Sequence, residues 1–120
     1  MQPSSYDADL NFEENAEKLP KIVELADITT LLTKSQKEKI FSGFDIKNLA
    51  KIFEDPTMMT TAKAFLENGM NVSKTARSLY MHRNTLLYRL NVIRRLTGFD
   101  LHDFKMAVTF EILHSLYAMK

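Results

Sequence analysis

The sequence predicts an all-α fold, and three observations predict it. After Asn11, apolar residues recur at the three- and four-residue spacing of a helical face. Residues that cap or stop helices stand between those stretches: Ser35, Gly43, Asp45, Pro56, Asn68-Gly69, Gly98 and Asp103. Strand patterns are absent apart from short, ambiguous apolar runs.

Residues 1–10 (MQPSSYDADL) are polar and are expected to form a loose arm. Pro20 limits one short helix or starts the next. Ile22, Leu25, Ala26, Ile28, Leu31 and Leu32 suggest an apolar face. Ser35, with Glu38 three residues on, fits a capping box that opens a helix through about Phe41, ended by Gly43. Asp45 caps a further helix with Leu49, Ile52 and Phe53 inward. Pro56 marks a boundary, because the residue before a proline is pushed away from helical dihedrals. The expected division is an arm with short connecting helices over 1–55 and a C-terminal helical domain over 56–120.

Within that domain, Thr57 to Glu67 carries Met58, Met59, Ala62, Phe65 and Leu66 at helical spacing, and Asn68-Gly69 stops it. Asn71 or Ser73 starts a short helix with Ala76, Leu79 and Tyr80, and Tyr80-Met81-His82 makes a turn. A longer helix follows, with Leu86, Leu90, Ile93 and Leu96 on one stripe and Gly98 at its end. Asp103 caps a last helix to about Met119.

Composition narrows the class. Of 120 residues, 45% are apolar, enough for a packed core. With no cysteine, the chain has no disulfide, thiolate metal site or cysteine nucleophile, which fits a reducing cytoplasm. No apolar run approaches the ~20 residues that span a bilayer, and the N-terminus lacks the basic start and apolar stretch of a secretory signal. A soluble, cytoplasmic protein without a membrane partner is expected. His82, His102 and His114 show no metal-ligand spacing. No nucleophile–base spacing or phosphate-cradling glycine loop is present either, so neither an enzyme nor a cofactor is expected.

The net charge of +1 conceals an uneven distribution. Residues 1–67 hold 12 acidic and 8 basic side chains. Residues 68–99 hold six basic ones, Lys74, Arg77, Arg83, Arg89, Arg94 and Arg95, and no acidic one. Such a window fits either a footprint for a polyanion or a solvated basic face.

The basic window coincides with a helix-turn-helix pattern from Asn71 to Leu96: a short first helix with a small residue, Ala76, for close packing, a brief turn, and an amphipathic second helix. At ~100° per residue from Leu86, Leu90 lies near 40° and Ile93 near −20°, while Asn84, Tyr88, Asn91 and Arg95 fall between ~140° and ~200°. Amides, a phenol and a cation therefore face outward, where they can reach base edges and phosphates. Thr85 lies on a flank. Arg83 stands at the helix start, and Ser73, Lys74, Thr75 and Arg77 lie in or near the first turn of the short helix, where hydroxyls and cations suit phosphate.

The stretch NVSKTARSLYMHRNTLLYRLNVIRRLTGFDL closely resembles the C-terminal helix-turn-helix of the PucR family of bacterial transcription regulators, which includes sugar-diacid regulators of the CdaR type. More distantly it is similar to the Fis-type helix-turn-helix. The signature pieces are Asn71-Val72, Thr75-Ala76-Arg77, Leu79, His82-Arg83-Asn84-Thr85-Leu86 and Tyr88-Arg89-Leu90. Thr61 to Asn68 matches the helix before the motif, and Leu96 to Leu101 the segment after it. The resemblance covers residues 56–117. It implies sequence-specific binding of double-stranded DNA through the helix starting near Arg83, with Arg83, Thr85 and Tyr88 facing the groove. In that family the domain ends a longer protein with an upstream sensory region, and no effector site is evident in this chain.

The expected DNA-binding residues are therefore Ser73, Lys74, Thr75, Arg77, His82, Arg83, Asn84, Thr85, Tyr88 and Arg89. Several have a second reading. Asn84 bonds the backbone at the helix start or touches a base. Tyr88 packs on a neighbour or reaches the groove. Arg89 grips phosphate or pairs with an acid, and His82 caps the helix or touches phosphate. Arg94 and Arg95 serve the helix dipole rather than DNA. The last helix, from Phe104 to Met119, is apolar nearly all round and calls for cover on several sides. Either residues 11–55 supply that cover or a second copy does, and a homodimer is expected. A competing function is a helical interaction module whose basic face binds an acidic partner protein.

Overall fold

The structure is a computed structural model, and it describes residues 22–118. The loose arm expected over 1–10, the punctuation at Pro20 and the end of the last helix at Met119 lie outside the described residues. Those residues form seven helices and no strand, the all-α class expected. In order they are α1 (Leu25–Thr29), α2 (Lys34–Phe41), α3 (Ile46–Phe53), α4 (Pro56–Glu67), α5 (Val72–Ser78), α6 (Arg83–Thr97) and α7 (Phe104–Ala118).

Local chemistry sets most of the boundaries. Asp45 caps α3 by accepting the Asn48 N–H. Asp55 caps α4 by accepting the N–H groups of Thr57 and Met58, and Pro56 occupies the first helical position, where its missing N–H costs nothing. The helix thus begins on Pro56 itself, one residue before the expected start. Asp103 caps α7 through the Met106 N–H at 3.0 Å. Gly98 ends α6 in the left-handed region, at φ 80°.

Two expectations are corrected. The capping box at α2 is Thr33 with Gln36, each side chain meeting the other's backbone N–H, and not Ser35 with Glu38. Both pairs have the right spacing, and starting at Thr33 gives the helix two further residues. The apolar face expected from Ile22 to Leu32 is largely exposed, because α1 is only five residues long and turns Thr29 inward. Thr29 shares a hydrogen bond with the Ser115 hydroxyl of α7 at 3.2 Å.

One core joins the elements on both sides of Pro56. Leu49, Ile52 and Phe53 of α3 meet Phe65 of α4, Leu86, Leu90 and Ile93 of α6, and Phe110 and Leu113 of α7. Phe53 stacks edge-on against Phe110 at 5.3 Å, and the Tyr117 hydroxyl donates to Glu54 across the α3–α7 contact. The last helix buries Ala107, Phe110, Leu113 and Leu116. α1 covers part of its outward side near Ser115, leaving Phe104 and Val108 exposed.

Candidate nucleic-acid interface

α5 and α6 form the helix-turn-helix, and each is set by short-range bonds. Asn71 caps α5, accepting the Lys74 N–H at 2.8 Å. Ala76 is buried at the contact with α6, as its small size requires. The chain then reverses through Leu79 and Tyr80. The Tyr80 N–H donates to the Arg77 carbonyl at 3.1 Å and the Met81 N–H to the Ala76 carbonyl at 2.9 Å. These two bonds close α5 in the Schellman manner and place Tyr80 at φ 51°. His82 caps α6, its Nδ1 accepting the Asn84 N–H at 3.0 Å. That bond fixes the capping part of the second reading of His82 and leaves Nε2 pointing away from the backbone it caps.

The stripe of α6 turned inward is Leu86, Leu90 and Ile93. Leu96, expected to extend it, is exposed: it lies ~80° beyond Leu86 on the far side of Ile93 from Leu90, at the margin of the contact. On the opposite side Asn84, Thr85 and Tyr88 are exposed. Tyr88 is 64% exposed, so its ring is not spent on packing. Ser73, Lys74, Arg77, His82 and Arg83 are exposed as well. The Arg83 guanidinium donates to the Ser73 hydroxyl at 3.1 Å, which ties the start of α6 to the start of α5. Eight of the ten expected residues thus lie on the solvent side of the motif.

The other two turn inward. Thr75 is completely buried and its hydroxyl donates to the Asn71 carbonyl at 2.7 Å, so it packs the helix instead of facing phosphate. Ser73 and Thr75 are two residues apart, ~200° around the helix, and cannot share a face. Arg89 is half-buried and donates to the Thr61 hydroxyl of α4 at 3.3 Å. It lies ~60° from Leu86, on the flank that meets α4, beside a hollow lined by Thr57, Thr60, Leu79 and Met81. Arg94 donates to Asn91 at 3.1 Å near the end of α6.

Past the motif, Asp100 is held below its ordinary value of 3.8, first by the His102 backbone N–H and opposed by slight burial. It pairs with the His102 ring at 3.1 Å. Among the described residues no acidic side chain forms an ion pair with a cation of the motif, which leaves its positive charge available to a polyanion. No group of side chains suited to a metal ion occurs among the described residues, and no helix there is long and apolar enough to cross a membrane. The residue that sequence reasoning missed is Tyr80. It is 99% exposed at the tip of the turn, in a conformation that normally signals glycine or asparagine.

Comparisons with known proteins agree with this geometry. Residues 58–113 match the model of the PucR C-terminal helix-turn-helix domain. The chain is 33% identical over 90 residues to the purine catabolism regulatory protein of Bacillus subtilis, covering 74% of this chain and 16% of that protein. It is 46% identical over 44 residues to the carbohydrate diacid regulator of Escherichia coli, covering 37% and 11%. It is 30% identical over 96 residues to a proline-responsive transcriptional activator of Bacillus subtilis, covering 76% and 23%. The chain therefore spans less than a quarter of the length of each of these three relatives. No solved structure matches it. Residues 58–113 belong to the PucR C-terminal helix-turn-helix domain family, and the motif built on α5 and α6 is the DNA-binding element of a transcription regulator.

Proposed function

We propose that the chain binds specific duplex sequences as a homodimer in the cytoplasm and so regulates transcription, without catalysing a reaction. Residues 56–120 act as the DNA-binding unit and residues 1–55 lead into it. The observation that carries this reading is the polar, outward face at the start of α6, fastened to α5 by the Arg83–Ser73 bond. α6 enters the major groove, with Asn84, Thr85 and Tyr88 toward base edges. Ser73, Lys74, Arg77, His82 and Arg83 meet the phosphates beside it. Thr75 and Arg89 act behind the interface: Thr75 packs α5, and Arg89 holds α6 on α4.

Selection of bound duplexes from a random pool supplies the operator, and fluorescence anisotropy on that duplex supplies the affinity. Lys74, Arg77 and Arg83 contact about three phosphates per copy. At ~0.9 per phosphate, a dimer should show a log–log salt slope near −5. Arg83→Ala should weaken binding by about ten- to hundredfold, from the loss of ~1–3 kcal/mol. Undetectable duplex binding at low salt overturns the reading, and binding by Arg83→Ala equal to the parent removes that residue from the interface.

A further inference from the structure

α4 and α7 lie side by side and antiparallel. The end of α4 meets the start of α7 in a hollow lined by Leu66, Met70, Phe104, Ala107, Val108 and Glu111. The start of α4 meets the later turns of α7 in a second hollow, where Met59 and Lys63 face Phe110, Glu111 and His114. Together they make one groove with an apolar floor. Phe104 stands at its edge, 68% exposed, in a helix that is otherwise packed. Lys63 and Glu111 stand on opposite walls, and among the described residues neither has an ion-pair partner. A surface of this kind, apolar at its centre and charged at its rim, has the make-up of a protein interface.

We infer that this groove is the face on which a second copy of the chain docks, by a two-fold axis running along it between α4 and α7. Such an axis lays α7 of each copy over α4 of the other. It sets Lys63 opposite the partner's Glu111 and, by symmetry, Glu111 opposite the partner's Lys63. At the other end it sets Phe104 over the partner's Leu66 and Met70. One operator therefore supplies partners for both charges and a seat for the exposed ring, as a self-complementary interface requires. The groove also leaves the reading face clear. At ~100° per residue, Lys63 and Leu66 point roughly opposite to Thr61, whose hydroxyl meets Arg89 of α6.

The inference rests on the proposed homodimer and names its surface. Sedimentation equilibrium of the full chain tests it, alongside Lys63→Glu, Glu111→Lys, the double exchange and Phe104→Ser. The parent should be a reversible dimer. Each single charge reversal, and Phe104→Ser, should weaken dimerisation at least tenfold, and the double exchange should recover most of that loss. All three positions are exposed, and circular dichroism checks that each variant keeps the parent's helicity. A monomeric parent at high concentration, single variants that dimerise like the parent, or a double exchange no better than the singles would each overturn the inference. Anisotropy on a half-site duplex separates this from DNA reading. The variants should bind a half-site as the parent does, whereas a parent that dimerises but binds no duplex fails on DNA binding alone.

Discussion

Replacing Tyr80 with glycine should stabilise this protein. α4 and α5 end in the same hydrogen-bonded closure, with Met70 bonded back to Phe65 in one and Met81 to Ala76 in the other. In α4 the left-handed position is Gly69, at φ 66°. In α5 it is Tyr80, at φ 51°, with a ring that is 99% exposed and contributes no packing. An L-residue in this conformation costs about 1–2 kcal/mol. Glycine removes that cost but gives back about 0.5–1 kcal/mol through its greater freedom in the unfolded chain. The net gain is about 0.5–1 kcal/mol, or a rise in Tm of about 2–8 °C for a domain of this size. Tyr80→Val, β-branched in the same conformation, should move Tm the other way. Thermal unfolding followed by circular dichroism measures both. A glycine variant that melts below the parent would mean that the tyrosine ring supports the turn, and the strain argument would be wrong.

Three further outcomes follow from the geometry. Asn71→Ala should cost about 0.5–2 kcal/mol by removing the cap on α5, and Asn71→Ser should recover most of it, as read by denaturant unfolding. Ile93→Ala should cost about 2–5 kcal/mol, since Ile93 is wholly buried under α6, and its midpoint should drop without a change of slope. Burial first, and then the Lys63 charge, holds the His114 imidazole below its ordinary 6.5. Its neutral form is therefore favoured in the folded state. The stabilisation is complete above pH 6.5 and is lost as pH falls below that value through the folded one. Thermal melts between pH 7.5 and 5.5 should show this decline, and His114→Phe, which keeps the ring contact with Phe53, should flatten it.

The motif was legible because its determinants are local. Asn71 and Gly98 act on the turn beside them, and Leu86, Leu90 and Ile93 declare a buried stripe by spacing alone. The inward turn of Thr75 was legible too, since it sits next to Ala76 and one turn before Leu79, but its hydroxyl drew it toward the phosphate side. Arg89 was obscured for a different reason. Its rotation points to the flank of the stripe, yet only the Thr61 hydroxyl on α4 shows where the guanidinium ends. At α2, Thr33–Gln36 and Ser35–Glu38 satisfy one pattern in overlapping registers, and spacing cannot choose between them. The exposure of Ile28 and Leu31 depends on how briefly α1 touches α7, a tertiary fact that apolar periodicity does not encode. Tyr80 carried no signal, because tyrosine does not ordinarily mark a left-handed turn.

The most direct test of DNA reading by α6 is amide chemical-shift mapping of the isotope-labelled chain on titration with its selected duplex. The perturbed amides should cluster at residues 73–77 and 82–91, with Asn84, Thr85 and Tyr88 among the largest shifts and the outward face of α2 unaffected. Shifts centred on α2 or α3, with α6 unchanged at saturating DNA, would contradict the assignment of α6 as the reading helix.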